Sequence, residues 1–132
     1  FLGFYHSAVA VLPLDEKRPF LGWARIGSSS NQYTLTNAYL KTGSKLFDFS
    51  TKLNGGKRAT VPINAWEDVL PMDILPNALY RAILVEDIEE MEQLGILECD
   101  EEDFALCSFA CPSKIDVGET IRHGLDLMEK DG

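Results

Sequence analysis

The stretch Asp73–Leu84, DILPNALYRAIL, is where the reading of this chain turns from strands to helices. Ile74, Leu75, Ala78, Leu79, Ala82 and Ile83 recur at spacings of three and four, which places them on one stripe of a helix. Asp73 is the expected N-cap, because a short side-chain oxygen can accept from a first-turn N–H. Pro76 is compatible with this start, since first-turn N–H groups have no intrahelical acceptor. Three further helices are expected downstream. One runs from about Asp87 to Leu94, with Gly95 placed to supply a left-handed C-terminal cap. The next begins at Asp100, with Glu101, Glu102 and Asp103 in its first turn, where negative charge suits the helix dipole, and ends before Pro112. The last opens with Asp116 and Glu119 in capping-box spacing, and its apolar face is Val117, Ile121, Leu125 and Met128.

Upstream the period is two. Phe4 to Leu12 alternates, Phe20 to Ile26 and Tyr33 to Tyr39 read as two more strands, and Arg58 to Ile63 is a short extended piece that Pro62 confines to an edge. The connections are too short for crossover helices, so the strands are expected to form an antiparallel sheet. The expected class is therefore α+β, with strands dominating about 1–63 and a group of short helices filling about 64–132.

The length of 132 residues is that of one domain or a piece of one, and 45% hydrophobic content fits a folded globular chain. No apolar run approaches the roughly 20 residues of a transmembrane helix. No basic segment precedes an apolar one at the start, so no signal peptide is expected, and the opening at Phe1 reads as a boundary within a longer protein. The net charge of −9 argues against nucleic-acid binding, and it is unevenly spread. Residues 1–60 carry a net +5 and residues 61–132 a net −14. Ten carboxylates and no cation fall within residues 86–103. Such a run serves either as solvated helix faces and caps or as an electrostatic docking face.

Cys99, Cys107 and Cys111 are odd in number and closely spaced, a poor disulfide framework suited to a reducing compartment. Cys107-x-x-x-Cys111-Pro112 has the spacing of the end of a bacterial ferredoxin run, C-x-x-C-x-x-C-x-x-x-C-P. The two earlier thiols would fall at positions 104 and 101, which hold Phe104 and Glu101. Cys99 is out of register and His123 sits on another expected helix, so neither a cluster nor a zinc site is expected, and the thiols are read as small apolar core residues. His6 and His123 are isolated and read as structural. Ser28-Ser29-Ser30 has no partnered histidine, and Gly55-Gly56-Lys57 lacks phosphate-loop spacing and reads as a turn. Trp23, Tyr39, Phe47, Phe49 and Trp66 have the apolar character of a quinone pocket wall, although core packing explains them as well. No catalytic residue is expected.

The segment Asp100–Lys114, DEEDFALCSFACPSK, resembles the C-terminal end of the A-type subunit of sodium-translocating NADH:quinone oxidoreductases. So do Ile115 to Gly132, Trp66–Leu75 (WEDVLPMDIL) and Lys45–Pro62 (KLFDFSTKLNGGKRATVP), in order along nearly the whole chain. The resemblance implies a C-terminal portion of a membrane-peripheral subunit on the cytoplasmic face, attached to the B-type membrane subunit. It implies no flavin or cluster held by this portion, with NADH and ubiquinone used by the whole complex and ubiquinone a possible contact. That family is related to the cluster-bearing C-type subunit of Rnf complexes, and the incomplete cysteine run is what such a relationship would leave. The alternatives are an Rnf-type electron-transfer subunit or a stand-alone interaction module. On charge alone, Lys41, Lys45, Lys52, Lys57 and Arg58 are expected to face the membrane or the B-type subunit, with the acidic helices turned to the cytosol or a basic partner.

Overall fold

The computed structural model describes residues 3–15 and 47–132. The described residues fall into two compact units, one holding residues 3–15 and 47–52 and the other Leu53–Gly132.

The expectation of an N-terminal sheet is overturned: among the described residues there is no strand, and the regular structure is all helical. Phe4–Leu12 and residues 58–63 are described and carry none. The expected strands Phe20–Ile26 and Tyr33–Tyr39 lie outside the described residues. Alternation failed as a signal because it creates two different faces only when one of them is buried. Here both parities are exposed, with Phe4 at 96%, Tyr5 at 92% and Val11 at 89% of full accessibility. What order the first unit shows is local. The Gly3 N–H donates to His6 Nδ1 at 3.0 Å, the Thr51 N–H donates to the Pro13 carbonyl at 3.3 Å, and Lys52 pairs with Asp15 at 3.6 Å.

In the second unit the helical reading holds, with corrected ends. A turn over residues 64–69 buries Trp66, whose ring meets Tyr80 edge-on at 5.2 Å. Helix α1 spans Pro76–Leu84, and its N-cap is Leu75, not Asp73, with no side-chain cap. Proline at the first helical position explains the later start, because its fixed φ is helical and it lacks one of the N–H groups a cap would satisfy. Leu75 is consequently 61% exposed and leaves the predicted stripe. The Asn77 side chain ties the helix to the preceding turn, donating to the Glu67 carboxylate at 2.8 and 3.0 Å and to the Ile63 carbonyl at 3.2 Å.

Helix α1 ends with the Asp87 N–H donating to Ala82 O and the Glu86 N–H to Ile83 O, the two bonds of a Schellman motif. That motif needs a left-handed residue at position 86, and Glu86 supplies it at φ 57°. Helix α2, Ile88–Gln93, is capped by Asp87, which accepts from the Glu90 N–H at 3.0 Å. Gly95 follows at φ 85°, the left-handed stop expected of it. The helix expected from Asp100 is instead a 3₁₀ turn, Glu101–Phe104, leading into helix α3, Ala105–Ala110. Asp100 and Asp103 form a reciprocal capping box at the head of this turn. Helix α4, Val117–Asp131, is capped by Asp116, which accepts from the Glu119 N–H at 3.0 Å.

Helix α4 is the axis of the unit, in contact with α1, α2, α3 and the 3₁₀ turns Ile96–Glu98 and Glu101–Phe104. Its predicted face is the observed one, with Val117 and Ile121 buried and Leu125 and Met128 packed against the core. Gly124 lies on that same face. A Cβ there would come within 2.7 Å of Ile96 Cδ1 and 2.9 Å of Ile83 Cγ1, so the missing side chain lets α4 approach both closely. Phe104, Leu79, Ile83, Met91, Ile96 and Ile121 are fully buried in the core of the unit. Each contributes roughly 1.5–3 kcal/mol relative to exposure, which is why short helices of weak intrinsic stability persist here.

Candidate functional site

The cysteine run occupies the 3₁₀ turn and α3, and its four ferredoxin positions have separate fates. Phe104 is fully buried in the core, while Glu101 is half-buried and ion-paired with Arg122 of α4. Cys107 and Cys111 are buried and unbridged. Burial pushes the Cys107 thiol up to about 12, with the nearby Glu67 carboxylate adding to the effect. Burial likewise raises Cys99 to about 11, with Asp103 and Glu98 contributing. These surroundings hold both thiols in the neutral form. Cys99 Sγ lies 3.4 Å from the Gly95 carbonyl, and Cys107 Sγ lies 3.9 Å from that of Trp66. Among the described residues, no group of three or more His, Cys, Asp or Glu side chains is gathered as a metal ion would require.

The loop joining α3 to α4 is the second feature of note. Gly55, buried, packs against the Lys114 carbonyl, and Ser113 Oγ donates to the Ala59 carbonyl at 2.8 Å. The Gly55-Gly56-Lys57 segment, expected as a turn but showing only a bend at Lys57, straps this loop. Lys114, at φ 53°, donates from Nζ to the Phe109 carbonyl and lies 5.3 Å from the centroid of that ring. Burial lowers its ammonium pKa to about 8. Tyr80 is also raised by burial, an effect offset in part by a side-chain hydrogen bond with Thr120.

The third feature is the acidic run. Eight of its ten carboxylate residues are exposed, and Glu101 and Asp103 are half-buried. Several have local roles: Asp87, Asp100 and Asp103 cap helical turns, Asp100 and Glu101 pair with Arg122, and Glu86 lies 3.7 Å from His123. The side chains of Glu89, Glu90, Glu92, Glu98 and Glu102 take no part in these caps and pairs and are exposed, adding to the acidic surface. Lys57 and Arg58, also exposed, lie on the strap.

The aromatic set is not assembled into one wall by what is described. Trp23 and Tyr39 lie outside the described residues, as do Lys41, Lys45 and Ser28-Ser29-Ser30. Phe47 and Phe49 pack on each other at 6.5 Å in the first unit, and Trp66 is a core residue of the second. His6 and His123 are both exposed. Sequence reasoning missed the Arg122 pairings and the strap, because each joins residues more than twenty positions apart and leaves no local spacing. Among the described residues, no helix is long and apolar enough to cross a membrane.

No family model matches the chain. It is 47% identical over 133 residues to the A-type subunit of the Na(+)-translocating NADH-quinone reductase of Mannheimia succiniciproducens, covering all of this chain and 30% of that protein. The corresponding A-type subunits of Hahella chejuensis and Pasteurella multocida are 45% and 47% identical, again over all of this chain and over 30% and 29% of their own lengths. The chain thus spans about 30% of the length of the curated relatives it matches. Along its entire length, and for that share of the longer protein, this chain is a relative of the A-type subunits of Na(+)-translocating NADH-quinone reductases.

Proposed function

We propose that this chain is the C-terminal portion of a peripheral subunit of a sodium-translocating NADH:quinone reductase, and that it serves assembly of the complex without holding a redox centre. The observation carrying this reading is an identity of 45–47% in alignments that cover the whole chain. The burial of Cys107 and Cys111, with Phe104 in the core and Glu101 paired to Arg122, supports a structural role for the cysteine run. Electron transfer from NADH to ubiquinone and sodium export belong to the whole complex, whose B-type membrane subunit is the proposed neighbour on the cytoplasmic face. The exposed Lys57 and Arg58 are the docking charges facing that membrane subunit or the anionic membrane surface. The exposed acidic surface turns away from that leaflet, which would repel it. The test is a pull-down of the full-length tagged subunit from detergent-solubilised membranes. Co-elution with the B-type membrane subunit is expected, weakened by Lys57→Glu with Arg58→Glu and left intact by Glu89→Lys with Glu90→Lys and Glu92→Lys. Absence of all other subunits from the unsubstituted sample would overturn the reading, and the reverse ranking of variants would overturn the orientation.

A further inference from the structure

Residues 4–14 have an unusual surface. Phe4 is 96% exposed, Tyr5 92%, Val9 66%, Val11 89%, Leu12 47% and Leu14 77%, and no charged side chain occurs before Asp15. An uncharged segment that exposes six large apolar side chains on both parities is far outside what a finished protein surface presents, and such patches mark contact sites. We infer that residues 4–14 are a docking segment covered by the remainder of the same subunit, the part of the longer protein that lies outside these 132 residues. This inference rests on the family reading above.

One observation and one physical argument favour that occupant. The relatives are more than three times as long as the stretch matched here, so most of such a subunit is available to cover the segment. A cover in the same polypeptide also acts at the high effective concentration of an intramolecular contact, without new affinity between separate chains. Lipid is the poorer occupant. The segment holds no helix that would satisfy its own N–H and C=O groups, and no Lys or Arg within residues 4–14 to meet anionic headgroups.

The experiment uses the full-length subunit with photoreactive p-benzoylphenylalanine at Phe4 or, separately, at Tyr5, irradiated alone and in the assembled complex, with cross-linked peptides mapped by mass spectrometry. Cross-links from both positions to peptides of the same subunit outside the 132 residues are expected, already in the isolated subunit. In parallel, Val11→Cys in the full-length subunit should react with a maleimide at least about tenfold more slowly than Leu97→Cys, a position 64% exposed here. Cross-links within residues 1–132, cross-links only to another subunit or to lipid, or equal labelling of the two cysteines would each overturn the inference. Co-purification with the other subunits, read on the same samples, reports separately on the family reading.

Discussion

Substituting Gly55 by alanine tests the strap that holds the α3–α4 loop. An added Cβ would lie 2.7 Å from Lys114 Cβ and closer still to the carbonyl carbon and oxygen of that residue. Carbon atoms in good contact sit about 3.5–4.0 Å apart, so the strap must withdraw by roughly 1 Å. The obstacle is backbone, and it cannot rotate aside as a side chain would. Overpacking of this kind costs about 1–3 kcal/mol. The withdrawal also pulls Ala59 away from Ser113, whose 2.8 Å hydrogen bond contributes about 0.5–1.5 kcal/mol. The expected loss is therefore about 2–4 kcal/mol, a fall in Tm of roughly 6–15 °C for a chain of this size. Circular dichroism at 222 nm during heating reads it, with Gly56→Ala as the control. A Cβ at Gly56 meets nothing within 4 Å and should change stability by less than about 0.5 kcal/mol. Equal melting of the two variants would refute the close-approach account.

Glu86→Gly should stabilise the second unit by about 0.5–1 kcal/mol, because the Schellman stop of α1 holds a non-glycine residue at φ 57°, while the exposed pairing with His123 contributes little; a loss of stability in denaturant titration would show that Glu86 does more than terminate the helix. Phe104→Ala should cost about 3–5 kcal/mol, since the ring is fully buried at the centre of the packing, and a cost below about 1 kcal/mol by urea titration would remove Phe104 from the core. Cys107 and Cys99 should resist a thiol-reactive dye at pH 7–8 and react fully once unfolded; rapid stoichiometric labelling of the native chain would contradict their burial. Because burial raises these thiols to about 12 and about 11, the stability they contribute is complete below the unfolded thiol pKa of about 8.5 and is lost as pH rises through the folded values. Lys114 acts oppositely, its pKa lowered by burial to about 8, so its ammonium costs stability increasingly as pH falls from about 10.4 to 8. Tm measured from pH 8.5 to 11 should accordingly decline less steeply in Cys107→Ala than in the parent chain, and identical slopes would sink the assignment.

The helical half of this protein was legible in the sequence because its determinants are local. Gly95, Asp87, Asp100 and Asp116 are caps whose partners lie within three residues, or stops set by the residue's own backbone freedom, and the Val117–Ile121–Leu125–Met128 face follows from a 3.6-residue period. The reading of Cys107 and Cys111 as small apolar core residues also holds, since both are buried. Local chemistry misled where two signals competed. Asp73 looked like a cap, yet Pro76 set the start of α1, and alternation over Phe4–Leu12 resembled a strand although neither face is buried. Tertiary structure alone decided which contacts close the fold. It brought Arg122 to Asp100 and Glu101, seated Gly55 on Lys114, and made Gly124 the point where α4 meets Ile83 and Ile96. It also forced Glu86 into a left-handed conformation that its own propensity opposes. The physical reason is the same in each case: a pairing across twenty or more residues, or a strain imposed by packing, is fixed by the shape of the whole and leaves no periodic trace in the chain.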